Sequence, residues 1–240
     1  MNAAPRALSV SLGGGAHALP GGLLWLEATA SLVVADLHLA YEDAIGGALP
    51  MWSLDESRAA LERACSTYGA RELILLGDVV HGTQLSEGAA ARVVTMMHAL
   101  RACCTLTIVA GNHEGRSRGA ALLGECVEEI ERGGMLLHHG DRPRLALVRH
   151  VIGHLHPSIA LGGDRSVPAF LSAPEAIVLP AANPYSRGLN VLARDCRTAI
   201  AAYGARVAST DVIAATATHC YPFGSIASLA RAARALRFAR

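Results

Sequence analysis

The sequence predicts an α/β protein, and two observations carry this prediction. In the first half of the chain, short runs of β-branched and aliphatic residues alternate with segments of helical periodicity. Several of the apolar runs end abruptly in polar turns, which is where an open α/β sheet presents its chemistry. The clearest case is residues 107–110, a buried-type strand followed directly by Gly111, Asn112, His113 and Glu114.

Length and composition agree with one large domain. With 240 residues, 52% hydrophobic but only 4% aromatic, the chain can bury a sizeable core of Ala, Leu and Val. A formal net charge of +1 argues against a general polyanion binder. No composition shift marks a linker. We therefore expect a single domain over 1–240, with core motifs at 32–157 and a β-rich part ending in a helix at 158–240.

Cysteine usage and hydropathy bound the compartment. The six cysteines form no CxxC pair, which argues against a disulfide framework and against a thiolate zinc site. No apolar run is long enough to span a bilayer, and residues 1–15 make a poor signal peptide. We expect a cytoplasmic protein without membrane association, whose reduced thiols act as small core residues.

The predicted elements are bounded by turn and cap signals. Ser53 and Glu56 form a predicted capping box at the start of a helix that ends near Gly69. A second helix is predicted over 87–100 and a terminal one over 228–240. The last third otherwise resembles antiparallel β-structure. The predicted strands cover 23–28, 32–35, 73–76, 107–110, 135–137, 151–152, 169–171, 177–179 and 189–192.

Five of these strands end in clusters of polar residues. The clusters are Asp36 with His38, Asp78 with His81, Asn112 with His113, His138 with His139, and His154 with His156. Side chains alternate along a strand, so two residues separated by one position should project the same way and grip one ion. Each pair alone is explained as well by a hydrogen-bonded turn. All five together favour a metal centre.

The ligand types indicate which metals suit the centre. Imidazole, carboxylate and amide oxygen without thiolate favour manganese, iron or zinc over calcium or copper(I). Seven candidate ligands are too many for one ion and suit two ions that share a bridging carboxylate. Two ions about 3.5–4 Å apart bind both the attacking and the departing oxygen of an in-line displacement at phosphorus.

The motifs resemble those of the calcineurin-like metallophosphoesterases in order and spacing. The matching segments are Asp36-x-His38, Gly77-Asp78, residues 111–114, His139-Gly140 and Gly153-His154-x-His156. The resemblance implies two mixed β-sheets packed as a sandwich and flanked by helices. It also implies that Asp36, His38, Asp78 and His156 hold one ion, and that Asp78, Asn112, His139 and His154 hold the other.

The resemblance also suggests the roles of neighbouring residues. His113 would donate a proton to the leaving oxygen or steady the phosphoryl group. His81, at Gly-Asp-x-x-His, is similar to the histidine that helps place the scissile phosphate in double-strand-break repair nucleases, and it could equally well only hydrogen-bond a ligand. His138 is expected to be a core residue. Arg116, Arg118 and Arg142 follow ligand turns and are candidate substrate contacts, although solvated loop charges explain them as well.

Finer similarities point to one subgroup. Residues 35–39 with 41–42, residues 153–157, and residues 179–181 with 188–192 resemble the DNA-ligase-associated or helicase-associated DNA-damage-response metallophosphoesterases. This implies a manganese-dependent phosphodiesterase or nuclease acting on single-stranded DNA or RNA, with a functional link to ligase and helicase repair proteins and with a homodimer as one possible assembly. Two alternatives remain open: a phosphomonoesterase for a small phosphorylated metabolite or nucleotide, and a non-catalytic interaction scaffold.

Overall fold

The core of the protein is a pair of mixed β-sheets packed face to face. The computed structural model describes residues 9–45, 52–81, 85–112, 120–144, 146–162, 164–183, 185–186 and 188–238. Within these ranges the first sheet has six strands, and their order in the sheet is the same as their order along the chain. They are β1 Val10–Gly13, β2 Ala16–Ala18, β3 Leu24–Leu26, β4 Ser31–Ala35, β5 Glu72–Leu76 and β6 Thr105–Val109. The strands up to β4 are antiparallel, whereas β4, β5 and β6 are parallel.

The second sheet has nine strands in the described part of the chain. They are β7 Glu129–Arg132, β8 Met135–His138, β9 Arg149–Ile152, β10 Pro157–Gly162, β11 Arg165–Ser172, β12 Ala176–Val178, β13 Leu189–Asn190, β14 Asp211–Ala215 and β15 Cys220–Ser225. Their order is β13-β10-β11-β12-β9-β8-β7, with β14 paired to β11 and β15 paired to β14. The pairs β8/β9, β9/β12 and β10/β13 are parallel.

Helices cover the outer faces of both sheets. They are α1 Tyr41–Ile45, α2 Trp52–Tyr68, α3 Glu87–Cys103, α4 Ala120–Leu123, α5 Arg194–Ala201 and α6 Ile226–Phe238. None of the described helices is long and apolar enough to cross a membrane.

Alternating residues of each strand build three separate apolar layers. On β4, Leu32 and Val34 pack toward α2 and α3, whereas Val33 faces the second sheet and packs in one cluster with Phe170. On the far side of the second sheet, Leu171 packs in a third cluster with residues of α5 and α6. This is the sandwich of two mixed sheets between helices that the resemblance implied.

The predicted capping box at Ser53 is wrong. Ser53 already lies inside α2, and its hydroxyl donates to Glu42 Oε2 at 2.6 Å while its backbone N–H donates to Glu42 Oε1 at 3.1 Å. A carboxylate from α1 therefore takes the place of the local cap. Its neighbour Asp43 accepts two hydrogen bonds from Ser86, the N-cap of α3. The short helix α1 thus fixes the starts of both long helices.

The last third of the chain is less uniformly antiparallel than the sequence predicted. β12 pairs antiparallel with β11 but parallel with β9, and β13 pairs parallel with β10. The reason is topological, because the chain crosses back before each strand, so that β12 begins at the edge where β9 begins and β13 begins at the edge where β10 begins. Between β12 and β13, Ala181 and Ala182 pass the carboxyl end of β4, where the Ala182 N–H donates to Ala35 O at 3.0 Å.

A buried carboxylate joins the two sheets at the opposite end. Glu72, at the start of β5, accepts two hydrogen bonds from Arg132 of β7, at 2.8 and 2.9 Å, and further ones from Ser31 and Thr107. Burial alone raises the pKa of Glu72, but the hydrogen bonds from Arg132, Thr107 and Ser31 outweigh it, so the pKa lies below its ordinary value.

Candidate metal centre

The predicted ligands meet at one edge of the sandwich. Asp36, Asp78 and Asn112 follow the parallel strands β4, β5 and β6 of the first sheet, and His38 lies on the same turn as Asp36. The second sheet supplies the other histidines at the ends of its parallel strands, namely His139 after β8 and His154 and His156 after β9. Both sheets therefore contribute, and the carboxyl ends of their parallel strands converge.

The backbone of the ligand turns is unusual. Asp36, His38, Asp78, His154 and His156 all take positive φ, from 42° to 61°, and they make up five of the seven such non-glycine residues in the described ranges. Their side chains are therefore aimed by left-handed turns, and the expectation that strand alternation would align them is wrong. Such backbone is costly for non-glycine residues and concentrates at functional sites.

One cluster contains Asp36, His38 and His156. Their ligand atoms all lie within 4.8 Å of one another, and His156 Nε2 is 3.5 Å from Asp36 Oδ2. Asp36 is fully buried and His38 nearly so. Among the described residues, Asp36 Oδ1 and His156 Nε2 are buried and have no hydrogen-bond partner. Two such buried atoms within one cluster of ligand-type side chains match the needs of a cation, since unsatisfied buried polar atoms are rare.

The second cluster contains Asp78, His139 and His154. His139 Nε2 is 3.0 Å from His154 Nδ1, 3.5 Å from Asp78 Oδ2 and 2.9 Å from Asn112 Oδ1. Asn112 therefore joins this cluster, as the resemblance implied. The four donors converge on one small volume, and their mixture of imidazole, carboxylate and amide oxygen suits a divalent transition metal.

The two clusters touch each other. His139 Nδ1 lies 3.6 Å from Asp36 Oδ1, and the His154 backbone N–H donates to Asp36 Oδ2 at 2.8 Å. The clusters therefore form one continuous centre. The donor set and the unpartnered atoms fit divalent metal.

Glycines make this approach possible. A Cβ on Gly77, which has φ of +75°, would lie 2.0 Å from His139 Nδ1. A Cβ on Gly153 would lie 2.5 Å from Asp36 Oδ2. Both glycines thus allow a ligand of one sheet to lie against the backbone of the other.

A loop that the sequence analysis did not select orients the first cluster. Ser186 Oγ lies 2.8 Å from His156 Nδ1, which leaves Nε2 to face Asp36. Asn183 donates to the carbonyl oxygens of Leu37 and His38 at 3.2 and 3.1 Å. Hydrogen bonds of this kind set the tautomer and direction of ligand histidines. Neither residue had a motif that could have identified it.

His138 lies behind the centre, as expected of a core residue. It is 2% exposed, and its Nε2 is 3.1 Å from His150 Nδ1. Burial first, and then the charges of His150 and Arg144, lower the pKa of His138 to about 4, so its ring is neutral at pH 7. Tyr203 donates to Gly140 O at 3.1 Å beside this pair and so supports the turn that carries His139.

Of the other predicted site residues, two lie near the centre and three lie outside the described part of the chain. His81 is half-buried, with Nδ1 3.4 Å from His38 Nδ1, and so faces the first cluster. Arg142 lines a cavity of about 300 Å³ beside Asn112 and His139, with its side chain 85% exposed. His113, Arg116 and Arg118 lie outside the described residues.

Comparison with known proteins agrees with the fold and assigns a family. The family model for calcineurin-like phosphoesterases matches residues 31–170. The structure is similar to that of the Pseudomonas putida nuclease MPE, with a TM-score of 0.65 and 21% sequence identity over 86% of this chain and 94% of that chain. No curated protein matches the sequence. The family match covers more than half of the chain, including every candidate ligand, and the chain belongs to the calcineurin-like phosphoesterase family.

Proposed function

We propose that the protein is a phosphodiesterase that uses two divalent metal ions to cleave nucleic acid. The observation that carries this proposal is the direct contact between two ligand clusters, one on Asp36 and one on His139, at 3.6 Å. When bound, two neighbouring ions stabilise the attacking and departing oxygens of a displacement at phosphorus. A full set of ligand types argues against a scaffold that has lost its chemistry.

The proposed ligand sets follow the two clusters. Asp36, His38 and His156 hold one ion, Asn112, His139 and His154 hold the other, and Asp78 bridges them. Manganese is the proposed metal, with iron and zinc as further candidates, because several imidazoles accompany hard oxygen ligands. Magnesium prefers oxygen ligands and is disfavoured by this set.

The chain's own side chains are proposed to handle the phosphate and the proton. Hydrolysis forms a bond from water oxygen to phosphorus and breaks the bond to the ester oxygen, which then needs a proton. We assign that proton to His113. His81 faces the first cluster, where it can hold a phosphoryl oxygen, and Arg142, with Arg116 and Arg118, can pair with flanking phosphates.

The proposed substrate is single-stranded DNA or RNA, in a role linked to DNA repair and to ligase or helicase partners. The shared fold with a nuclease supports a polymeric substrate. So does the open cavity beside the second cluster, where Arg142 and Arg144 lie next to Asn112. A strand can pass along such an open edge without the enclosed pocket that a small metabolite would need.

The test compares three substrates on purified, metal-loaded protein. We expect hydrolysis of bis-p-nitrophenyl phosphate and single-stranded DNA to exceed that of p-nitrophenyl phosphate. A clear preference for the monoester would overturn the proposal in favour of a phosphomonoesterase. Manganese should restore chelator-treated protein best, and best restoration by magnesium would contradict the metal assignment.

The variant Asp78→Ala tests whether metal binding and activity depend on the same residue. As the proposed bridge, Asp78 should carry both metal content and activity, so elemental analysis and turnover should fall together. Asp164→Ala, at an exposed turn of the second sheet, is the control and should leave both unchanged. Loss of one ion with activity retained would rule out the two-metal mechanism.

A further inference from the structure

A line of aromatic rings leads from the metal centre to the surface. The His38 and His81 ring centroids are 5.3 Å apart, and those of His81 and Tyr41 are 4.7 Å apart. Tyr41 then stacks on Tyr185, with centroids 5.6 Å apart and planes inclined by only 6°. The outermost ring therefore lies three steps from a proposed metal ligand.

Tyr185, which carries the outermost ring, is linked by hydrogen bonds to the turn of the first cluster. The Tyr185 backbone N–H donates to Asn183 Oδ1 at 2.7 Å, and Asn183 in turn holds the carbonyl oxygens of Leu37 and His38. On its other side, Ser186 contacts the His156 ring. Tyr185 thus lies along the chain between two residues that position proposed ligands, and one of them also holds its backbone.

Burial does not explain this tyrosine. Tyr185 is 53% exposed, so one side of its ring packs on Tyr41 while the rest faces solvent. A flat ring backed by a second, parallel ring is a rigid surface with little conformational entropy left to lose on binding. Every nucleobase has a π-face that can stack on such a ring, whatever the sequence.

We propose that Tyr185 stacks on a base of the substrate strand, next to the phosphate held at the metal centre. The inference rests on the proposed phosphodiesterase function and names the part of the substrate that this enzyme recognises, namely an unpaired base. Bases within a duplex are covered on both faces by their neighbours, so the stacking surface selects single-stranded or frayed nucleic acid.

The test uses two phosphodiester chains of equal length and charge. One is a single-stranded oligodeoxynucleotide, and the other carries abasic tetrahydrofuran sugars throughout. Manganese-loaded wild-type protein should cleave the base-bearing chain about 5-fold or more faster in kcat/KM, the lower end of what base–aromatic stacking contributes. Equal rates on the two chains would overturn the stacking inference while leaving the proposed phosphodiesterase function intact.

Variants then assign the preference to one ring. Tyr185→Leu should abolish the preference for the base-bearing chain, whereas Tyr185→Phe should retain it, because stacking needs the ring and not the hydroxyl. Tyr221→Leu is the matched control: Tyr221 is 48% exposed and also packs on an aromatic ring, that of His219 at 5.8 Å, but lies on β15. It should keep the wild-type preference.

The remaining outcomes are decisive as well. A preference that survives Tyr185→Leu, or disappears in Tyr185→Phe, would overturn the role of the ring. Metal content is measured for each variant, because a loss of metal would indicate that His156 is disturbed and not only that the base contact is lost. If Tyr185→Leu does not fold, the wild-type rates on the base-bearing and abasic chains still test the inference. Protein that cleaves neither chain but hydrolyses p-nitrophenyl phosphate would overturn the proposed function and this inference with it.

Discussion

At the scale of single residues, the sequence predicts which residues are the ligands of the centre but not the backbone angles that direct their side chains. The identities of Asp36, Asp78 and His139 followed from polar residues at strand ends. Their aim depends on left-handed turns, as at Asp36 with φ of 53° and Asp78 with φ of 42°. No side-chain pattern encodes those angles. Strain of about 1–3 kcal/mol for each such residue is tolerated only where the surrounding structure enforces it.

Two glycines allow a test of how closely the ligands pack. Gly77→Ala should lower metal content and activity, since its Cβ would overlap the His139 ring at 2.0 Å. Gly69→Ala is the control, because Gly69 has a similar φ of +62° but nothing within 4 Å of the added atom. It should cost only the backbone strain of about 1–2 kcal/mol and retain metal. Equal metal content in both variants would contradict the close packing.

Residues that only support the ligands were invisible to sequence reasoning. Asn183 and Ser186 lie far along the chain from His38 and His156, which they hold, and both sit in a segment with no recognisable pattern. The same holds for the stack of Tyr41 on Tyr185. Contacts of this kind depend on the path of the return loop, which is set by strand pairing in three dimensions.

At the scale of elements, α1 shows how local signals can mislead. The Ser53–Glu56 spacing predicted a self-contained helix start, yet the acceptor for the Ser53 N–H and hydroxyl is Glu42. Glu56 is exposed. Tertiary structure supplied one carboxylate that accepts from both groups of Ser53, and the local box was not used. By contrast the predicted end of α2 is confirmed, because Gly69 has the left-handed backbone typical of a helix terminus.

Glu42 and Glu56 are expected to contribute very differently to stability. Glu42→Ala should lower the free energy of unfolding by about 1–3 kcal/mol, the range for hydrogen bonds to a charged group. Glu56→Ala, the control, should change it by less than about 0.5 kcal/mol, as exposed positions usually do. Urea unfolding followed by circular dichroism measures both. A larger loss of unfolding free energy from Glu56→Ala than from Glu42→Ala would show that the capping box forms.

At the scale of the whole molecule, the two sheets are tied at both ends by different chemistry. At one end the ligands of both sheets converge, and at the other Glu72 of the first sheet binds Arg132 of the second. The fold class was predictable because strand–helix alternation and family motifs agree. The pairing of β12 and β13 was not, since their register depends on partners distant in the chain.

The pH dependence of stability should reveal the Glu72 link. Its pKa in the folded protein is lowered, so its contribution is complete above the unfolded value of about 4.3 and is lost as pH falls through the folded value. Glu72→Gln should therefore be less stable than wild type by about 1–3 kcal/mol at pH 7. This gap should narrow below about pH 4 in urea titrations.

A solvent-exposed carboxylate provides the control for this comparison. Glu125→Gln changes the same side chain at an exposed position and should track wild type at every pH. A gap between wild type and Glu72→Gln that stayed constant down to low pH would show that Glu72 acts through packing alone.

The division of ligands between the sheets also sets when the centre can form during synthesis. Three of the ligands, His139, His154 and His156, emerge long after Asp36 and Asp78. A nascent chain that ends before β8 contains every strand of the first sheet but only part of each cluster. We therefore expect metal to bind to the complete centre only after both sheets have docked, and bound ions to slow unfolding more than they speed folding.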